Sequence, residues 1–344
     1  MEARHVDTGA GLAGTLDTTM SASGQEGNQS GKPVVIDTDP GLDDALALVL
    51  ALRSPALDVR AITVVAGNVS LSTCTANTLR IVEAVGPASI PPVHQGHARP
   101  LSGRVARAGD VHGDDGLGGI TPKYPVRELA VTGGHATQAM IELARQHGEA
   151  LTIVALGPLT NVAKAIERDR SAMSGIGRLV VMGGTDDGQG NITPRAEFNF
   201  YSDATAAKAV VRAGLPTTLV GLNVTRRTLL YKDLFHQRLA AAQPARLRSF
   251  LGDVSRPYFE FGRKESGSHA CVMHDPLAVG VAIDPTLVST ARLPCDVIDT
   301  PGLTRGMMLV GRDASSAGVA PAMVATQVDA DRFVDLFLDV ACGA

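Results

Sequence analysis

After Gly31 the chain repeats one pattern. A short run rich in Val and Ile stops abruptly at Asp, Asn or Gly, and a stretch of helical period follows several of these stops. The first run, Pro33-Val34-Val35-Ile36, ends at Asp37, and the second, Val59 to Val65, ends at Gly67-Asn68. Leu151 to Ala155 ends at Leu156-Gly157-Pro158, Leu179 to Met182 at Gly183-Gly184, and Thr217 to Val220 at Asn223. Runs this short, without polar alternation, suit strands covered on both faces, as in a parallel sheet. Between them, Asp43–Arg53, Ser72–Val85, Thr160–Arg168 and Ser202–Arg212 carry apolar residues three and four apart, as helices with a buried stripe do. Strand alternating with helix predicts an α/β fold, a doubly wound and mostly parallel sheet whose ligand site lies beyond the carboxyl ends of its strands. The polar residues of interest stand at those ends.

Past Asp284, short strands return at 293–298, 307–310 and 323–328. A last helix is expected from about Asp331 to Val340, with Phe333, Leu336, Phe337 and Val340 on one face that packs on the sheet. A chain of 344 residues that is 44% hydrophobic can bury one large core or two smaller ones. No linker interrupts it after Gly31, so residues 32–344 are expected to form a single domain. Met1–Gly31 reads differently, being rich in Gly, Ser, Thr and Ala without periodicity, the composition of a disordered N-terminal extension. It lacks the basic start and the apolar run of about 7–15 residues of a secretory signal, and its acids Glu2, Asp7, Asp17 and Glu26 argue against a transit peptide.

The strongest local signal is Asp37-Thr38-Asp39-Pro40-Gly41-Leu42-Asp43-Asp44-Ala45, which puts four carboxylates within eight residues directly after a buried strand. Acids at a helix start are ordinary, since they cap free N–H groups and offset the partial positive charge there. That accounts for Asp43 or Asp44 alone, but not for all four. Carboxylates packed this closely repel one another unless protonated or gathered around a cation, and oxygen ligands on a tight turn suit a hard ion such as Ca²⁺ or Mg²⁺. Adjacent Asp43 and Asp44 point about 100° apart on a helix, so one can bind metal while the other faces a substrate.

This segment resembles the signature of the inosine–uridine-preferring nucleoside hydrolase family, and the similarity runs in order from Pro33 to the C-terminal helix. The resemblance implies a Rossmann-like nucleoside hydrolase fold and calcium-dependent hydrolysis of the N-glycosidic bond of a ribonucleoside, giving ribose and free base. It implies that Asp39 binds Ca²⁺ and activates water, that Asp44 is a second carboxylate ligand, that Asp43 holds the ribose hydroxyls, and that Asp37 supports the metal site. It further implies a homodimer or homotetramer.

The other strand ends carry the same resemblance. Asn68 alone reads as a turn residue; the family makes it a contact to ribose and water. In Ala155-Leu156-Gly157-Pro158-Leu159-Thr160-Asn161, Thr160 and Asn161 read as cap formers, while the resemblance makes the Leu156 carbonyl a calcium ligand. In the segment from Asn191 to Asn199, Glu197 and Asn199 stand two apart and in an extended chain would point the same way, bracketing a vicinal diol. The resemblance assigns Asn191, Glu197 and Asn199 to the ribose hydroxyls, and places Met182, otherwise a core residue, beneath the sugar. In His274-Asp275-Pro276 it makes Asp275 the third metal-binding carboxylate and His274 the residue that protonates the leaving base, a task suited to an imidazole with a pKa near working pH. His112 matches a histidine near the base, on a Gly-rich segment, Asp110–Gly119, expected to be mobile.

Base preference is the least legible property. The chain has no Trp, so no purine can be gripped between indoles. With His274, this points to a broad or pyrimidine-leaning enzyme. Tyr258, Phe259 and Phe261 are candidates for the base pocket or for the core.

Two other readings compete. A buried strand ending in Asp-x-Asp also opens the haloacid-dehalogenase-type phosphatases, but Pro40-Gly41 breaks that pattern and Asp43-Asp44 would have no role in it. A nucleoside-binding protein without turnover would not need every catalytic position filled. Composition excludes other classes. The formal charge is −4 without a basic cluster, against a nucleic-acid surface, and no apolar stretch approaches the roughly 18 residues of a membrane span. Cys74, Cys271, Cys295 and Cys342 lack metal or redox spacing and read as buried free thiols, and together these features lead one to expect a soluble, cytoplasmic protein.

Overall fold

The computed structural model describes residues 31–103, 106–311 and 318–343. Its strands are β1 (Lys32–Thr38), β2 (Leu57–Val64), β3 (Val93–Gln95), β4 (Thr152–Ala155), β5 (Arg178–Met182), β6 (Thr217–Val220), β7 (Leu229–Tyr231), β8 (Ala270–Val272), β9 (Val288–Val297), β10 (Met308–Val310) and β11 (Pro321–Val328). Nine of them form one sheet in the order β10-β9-β11-β6-β5-β4-β1-β2-β3, while β7 and β8 pair separately. From β3 to β11 the neighbours run parallel; β9 and β10 join the far edge antiparallel. The fold is thus the expected α/β arrangement with a mostly parallel sheet.

The strand order explains where a ligand belongs. From β1 the chain builds outward through β2 and β3, then returns to β4 on the other side of β1 and builds outward through β5 and β6. Loops leaving β1 and β4 therefore diverge, opening a crevice beyond their carboxyl ends. Asp37 pairs with both Thr63 of β2 and Ala155 of β4, so the acidic loop leaves the sheet at that switch point.

The helix Leu42–Arg53 that follows is buried from Leu42 through Ala51. Its sequence is apolar around the whole circumference after the two acids, as an enclosed helix requires. It is covered by the helices 245–266, 274–283 and 330–342.

Several elements differ from expectation. The strands β3, β7 and β8 are not among those the sequence predicts; like β10 they span three residues each, too few to establish a periodicity. The helix expected from Ser202 starts at Ala204, because the Asp203 carboxylate caps it by accepting the Ala206 N–H at 3.1 Å. The final helix, Ala330–Cys342, buries Phe333, Val334, Phe337, Leu338 and Ala341, with Leu336 and Val340 only partly covered. It packs on the helices 42–53 and 274–283 rather than on the main sheet, and Phe333 lies against Gly280, where an added Cβ would come within 2.7 Å of its ring. The four cysteines are buried and unpaired. Among the described residues no helix is long and apolar enough to cross a membrane. Of the extension expected at residues 1–31, all but Gly31 lies outside the described residues.

Candidate active site

Asp44 is the organiser of the acidic loop. Its Oδ1 accepts the Thr38 hydroxyl at 2.5 Å and the Asp39 N–H at 3.2 Å, while Oδ2 accepts the Gly41 N–H at 2.9 Å and the Asn68 amide at 3.1 Å. The ordinary capping role of an acid at a helix start is therefore present, combined with contacts to two strand ends. Asp39 stands beside it with Oδ2 accepting the Asn68 N–H at 2.7 Å. Glycine is required on both flanks: a Cβ on Gly67 would lie 1.9 Å from one Asp39 oxygen, and a Cβ on Gly157 would lie 2.3 Å from the other. The ends of β2 and β4 thus close around the carboxylate as bare backbone.

Oxygen atoms of Asp43, Asp44 and Asp275 lie within 4.8 Å of one another, all three residues being buried. Asp39 is not in that trio; its carboxylate is turned toward Asn68. Burial raises the Asp43 carboxyl to about 6 and the Asp37 carboxyl to about 7, the latter opposed by hydrogen bonds from Asn161 and Thr63. Asp44 is also raised, first by burial and then by Asp43. Asp39 and Asp275 sit well above the usual carboxylate range, through burial and then through the neighbouring acids, Asp44 for Asp39 and Asp43 for Asp275. Asp43 Oδ1 and Asp37 Oδ2 are buried without a hydrogen-bond partner. Buried, mutually repelling carboxylates with orphaned oxygens need a positive partner, and an all-oxygen donor set suits a hard divalent cation.

Two histidines stand at the site. His112 is buried, its Nδ1 accepts the Leu42 N–H at 3.0 Å, and its Nε2 lies 4.0 Å from Asp43 Oδ1. That bond assigns the ring proton to Nε2. Burial lowers the His112 pKa to about 4. The Gly-rich segment expected to be mobile is stitched down: Asp115 accepts the N–H groups of Leu117, Gly119 and Thr121, and Gly118 donates to the His112 carbonyl. His274 opens the helix 274–283, and its Nδ1 lies 2.7 Å from the Thr225 hydroxyl. Burial first, then the Arg226 guanidinium and His112, push His274 down to about 3. The imidazole is therefore neutral at pH 7, where an ordinary surface histidine would be nearer its midpoint.

The remaining predicted residues divide. Asn199 donates from Nδ2 to the Leu156 carbonyl at 2.6 Å and to the Met182 carbonyl at 3.2 Å, bringing the β4 and β5 ends together. Met182 is 3% exposed, with its sulfur 3.6 Å from the same nitrogen. The segment holding Glu197 and Asn199 is not extended. Glu197 instead caps a short helix, Phe198–Ser202, accepting the N–H groups of Asn199 and Phe200 while also holding the Gly184 N–H. Those bonds oppose a burial effect that raises its carboxyl to about 7. Asn191 stands apart from the buried group: it is exposed, and its side-chain oxygen accepts the Phe198 N–H at 2.9 Å. Tyr258 and Phe259 are core residues, and Phe261 packs partly buried against them.

Sequence reasoning missed several residues that hold these groups. Asn161 is fully buried, donating to Asp37 Oδ1 at 2.8 Å and to the Val64 carbonyl at 3.1 Å. Thr63 donates to the same Asp37 oxygen at 2.7 Å. Thr38 and Thr225 play the same supporting part for Asp44 and His274. Thr63 and Asn161 have no spacing signal because they act from β2 and from the start of the helix after β4, and Thr225 acts from another helix. Only the adjacency of Thr38 and Asn161 to turn signals could have drawn attention to them.

Comparison with known proteins agrees with this geometry. The model of the family described as inosine-uridine preferring nucleoside hydrolase matches residues 34–335. The pyrimidine-specific ribonucleoside hydrolase RihA of Escherichia coli O9:H4 is 35% identical over 308 residues, covering 89% of this chain and 97% of that protein. A plant nucleoside hydrolase, PpNRh1, superposes with a TM-score of 0.84 at 32% identity, covering 91% of this chain and 99% of the other. A purine-preferring ribonucleoside hydrolase from Gardnerella vaginalis gives 0.83 at 31% identity, covering 91% and 98%. With the acid loop at the switch point and a family match over most of its length, the chain belongs to the inosine-uridine preferring nucleoside hydrolase family.

Proposed function

We propose that this nucleoside hydrolase cleaves the N-glycosidic bond of ribonucleosides, with calcium at the acid cluster and a broad or pyrimidine-leaning preference for uridine and inosine. The single observation that carries the reading is the buried trio of Asp43, Asp44 and Asp275 at the β1/β4 switch point, with an Asp43 oxygen left unpartnered. The similarity to RihA, the absence of Trp and the presence of His274 support the pyrimidine lean.

In this reading Asp39, Asp44 and Asp275 would hold the ion with the Leu156 carbonyl, and Asp43 stands close enough to share it. When bound, calcium supplies a Lewis acid that lowers the pKa of water and grips the sugar hydroxyls. Asp39 takes the proton of the attacking water. Asp43, Asn68, Asn191, Glu197 and Asn199 bind the ribose, with Met182 beneath it, so that binding energy remote from the reacting bond favours distortion at the anomeric carbon. His112 presents its Nε2–H on the base side. His274 would face the departing base: as negative charge develops there the neutral imidazole takes up a proton from solvent and passes it to the base nitrogen, ending neutral again. A homodimer or homotetramer in the cytoplasm completes the proposal, and the four buried thiols suit a reducing compartment.

The test is release of reducing sugar from uridine, cytidine, inosine and adenosine, with chelator and with calcium or magnesium added back. Ribose release that stops with chelator and returns with calcium supports the proposal, and the relative rates give the base preference. No ribose from any nucleoside, with calcium present and the protein folded, would sink it.

A further inference from the structure

The residue next to the one that holds His274 reaches in a different direction. Thr225 and Arg226 are adjacent at the end of the short helix Leu222–Thr225. The Thr225 hydroxyl lies 2.7 Å from His274 Nδ1. The Arg226 guanidinium turns instead to the loop after β5, donating from Nη1 to the Gln189 carbonyl at 2.9 Å and from Nη2 to the Gly190 carbonyl at 2.7 Å. A planar fork on two successive carbonyls fixes both distance and orientation, as a single point charge does not.

The loop this fork grips is otherwise bonded mainly to itself. Thr185 and Gln189 bond the Asp187 carboxylate, the Gly190 N–H donates to the Pro194 carbonyl, and the N–H groups of Asn191 and Ile192 reach the Ala196 carbonyl. Gly190 is enclosed by that turn, with room for no Cβ: one would stand 2.1 Å from the Thr193 carbonyl oxygen. Among the described residues, the only hydrogen bonds that reach 186–195 from outside the segment 185–198 are the two from Arg226. The next residue along is Asn191, whose side-chain oxygen is held by Phe198 while its amide nitrogen makes no bond to a described residue.

We infer that Arg226 is a positioning residue: it straps the Gln189–Gly190 turn, and with it Asn191, onto the same short helix that orients His274. One helix end then sets the separation between the sugar-binding amide and the group facing the departing base. This rests on the proposed ribonucleoside hydrolysis for its kinetic consequence, but not for the strap itself. A loop bonded chiefly to itself moves as a unit once its outside anchor is removed, so loss of Arg226 acts on Asn191 without dismantling the acid cluster.

The test joins an exchange measurement to a double-mutant cycle in the full-length protein with calcium. Backbone amide exchange over residues 186–196 should quicken in Arg226→Ala by about tenfold or more, while the helix 42–53 keeps wild-type protection. With uridine, Arg226→Ala and Asn191→Ala should each raise KM by about tenfold, the worth of a hydrogen bond or two. The double variant should show the same rise rather than the product, because both remove one interaction. Arg226→Lys should recover part of the loss. Unchanged exchange in the turn of Arg226→Ala would overturn the strap whether or not wild-type protein hydrolyses uridine. Multiplicative KM effects, or a fall in kcat alone, would overturn the action through Asn191.

Discussion

Asp39 is held by the loop that leaves the neighbouring strand: its Oδ2 accepts the backbone N–H of Asn68 at 2.7 Å, and the Asn68 side-chain amide donates a second bond to the Asp39 carbonyl at 3.2 Å. The two bonds, both donated by Asn68, tie the chain leaving β1 to the chain leaving β2 and leave the other Asp39 oxygen for work outside the protein's own network. Removing the charge there without removing the shape isolates its chemistry. Asp39→Asn should fold normally and lose roughly a hundred- to ten-thousand-fold in kcat, the usual worth of a positioned base. Steady-state kinetics beside a melting curve checks this, and near-normal turnover would remove Asp39 as the base.

The glycine beside that pair makes a sharper demand. Because a Cβ on Gly67 would stand 1.9 Å from Asp39 Oδ2, Gly67→Ala must displace either the carboxylate or the β2 end. Overpacking of this kind costs about 1–3 kcal/mol, and activity should fall more steeply than stability. Equal activity and an unchanged melting temperature in the alanine variant would contradict the close approach.

How much of this was legible in the sequence depended on where the information sat. The four acids of the loop announced a cation because all of them lie within one turn of a buried strand, and the apolar runs announced the sheet that buries it. The roles of Asn161 and Thr63 were not readable, since the two converge on one Asp37 oxygen from positions 124 and 26 residues away. Only the register of β1 against β2 and β4 brings them together. The Glu197–Asn199 pair was misread for a local reason. A glutamate outside the usual Ser, Thr, Asp and Asn set caps the helix there, so the two residues occupy a helix start rather than a strand. Arg226 gave no signal, because its partners are carbonyls that any residue supplies.

The acid cluster ties stability to pH with a definite sign. Asp37 and Glu197 are raised to about 7 and Asp43 to about 6, chiefly by burial. A carboxyl raised in the folded state contributes stability that is complete below its unfolded value, about 4, and lost as pH climbs through the folded value. His112 and His274, depressed to about 4 and about 3, act in the opposite sense up to about pH 6.5, but the raised acids outnumber them. Chelator-treated protein should therefore melt at progressively lower temperature from about pH 4 to about pH 7. Calcium should flatten that slope, since it favours the ionised acids. Parallel melting curves across pH with and without the ion test this, and a chelated protein whose stability rises over the same interval would refute it.

Ribose recognition should separate ribonucleosides from deoxyribonucleosides. Asp43, Asn68 and Asn199 are each less than a tenth exposed, so a missing 2′-hydroxyl leaves buried polar atoms unpaired instead of rehydrated. Discrimination in such sites reaches about ten-thousand-fold, and a ratio of kcat/KM for uridine over 2′-deoxyuridine on the order of a thousand or more is expected. Comparable turnover of both would mean that the sugar hydroxyls face solvent.

The surroundings of His274 argue against a freely titrating acid. Burial and the Arg226 guanidinium push it down to about 3, and Thr225 holds its Nδ1 at 2.7 Å. A neutral imidazole can protonate the base only once the charge building there has drawn a proton onto the ring, so its contribution should scale with how badly that base leaves. His274→Ala should slow uridine hydrolysis by roughly a hundred- to ten-thousand-fold while sparing a nitrophenyl riboside, whose leaving group departs without protonation. The wild-type kcat profile should also lack an inflection near pH 6.5 owed to this residue. An equal loss on both substrates would instead make His274 a structural partner of Thr225, and the proton for the base would have to come from elsewhere in the site.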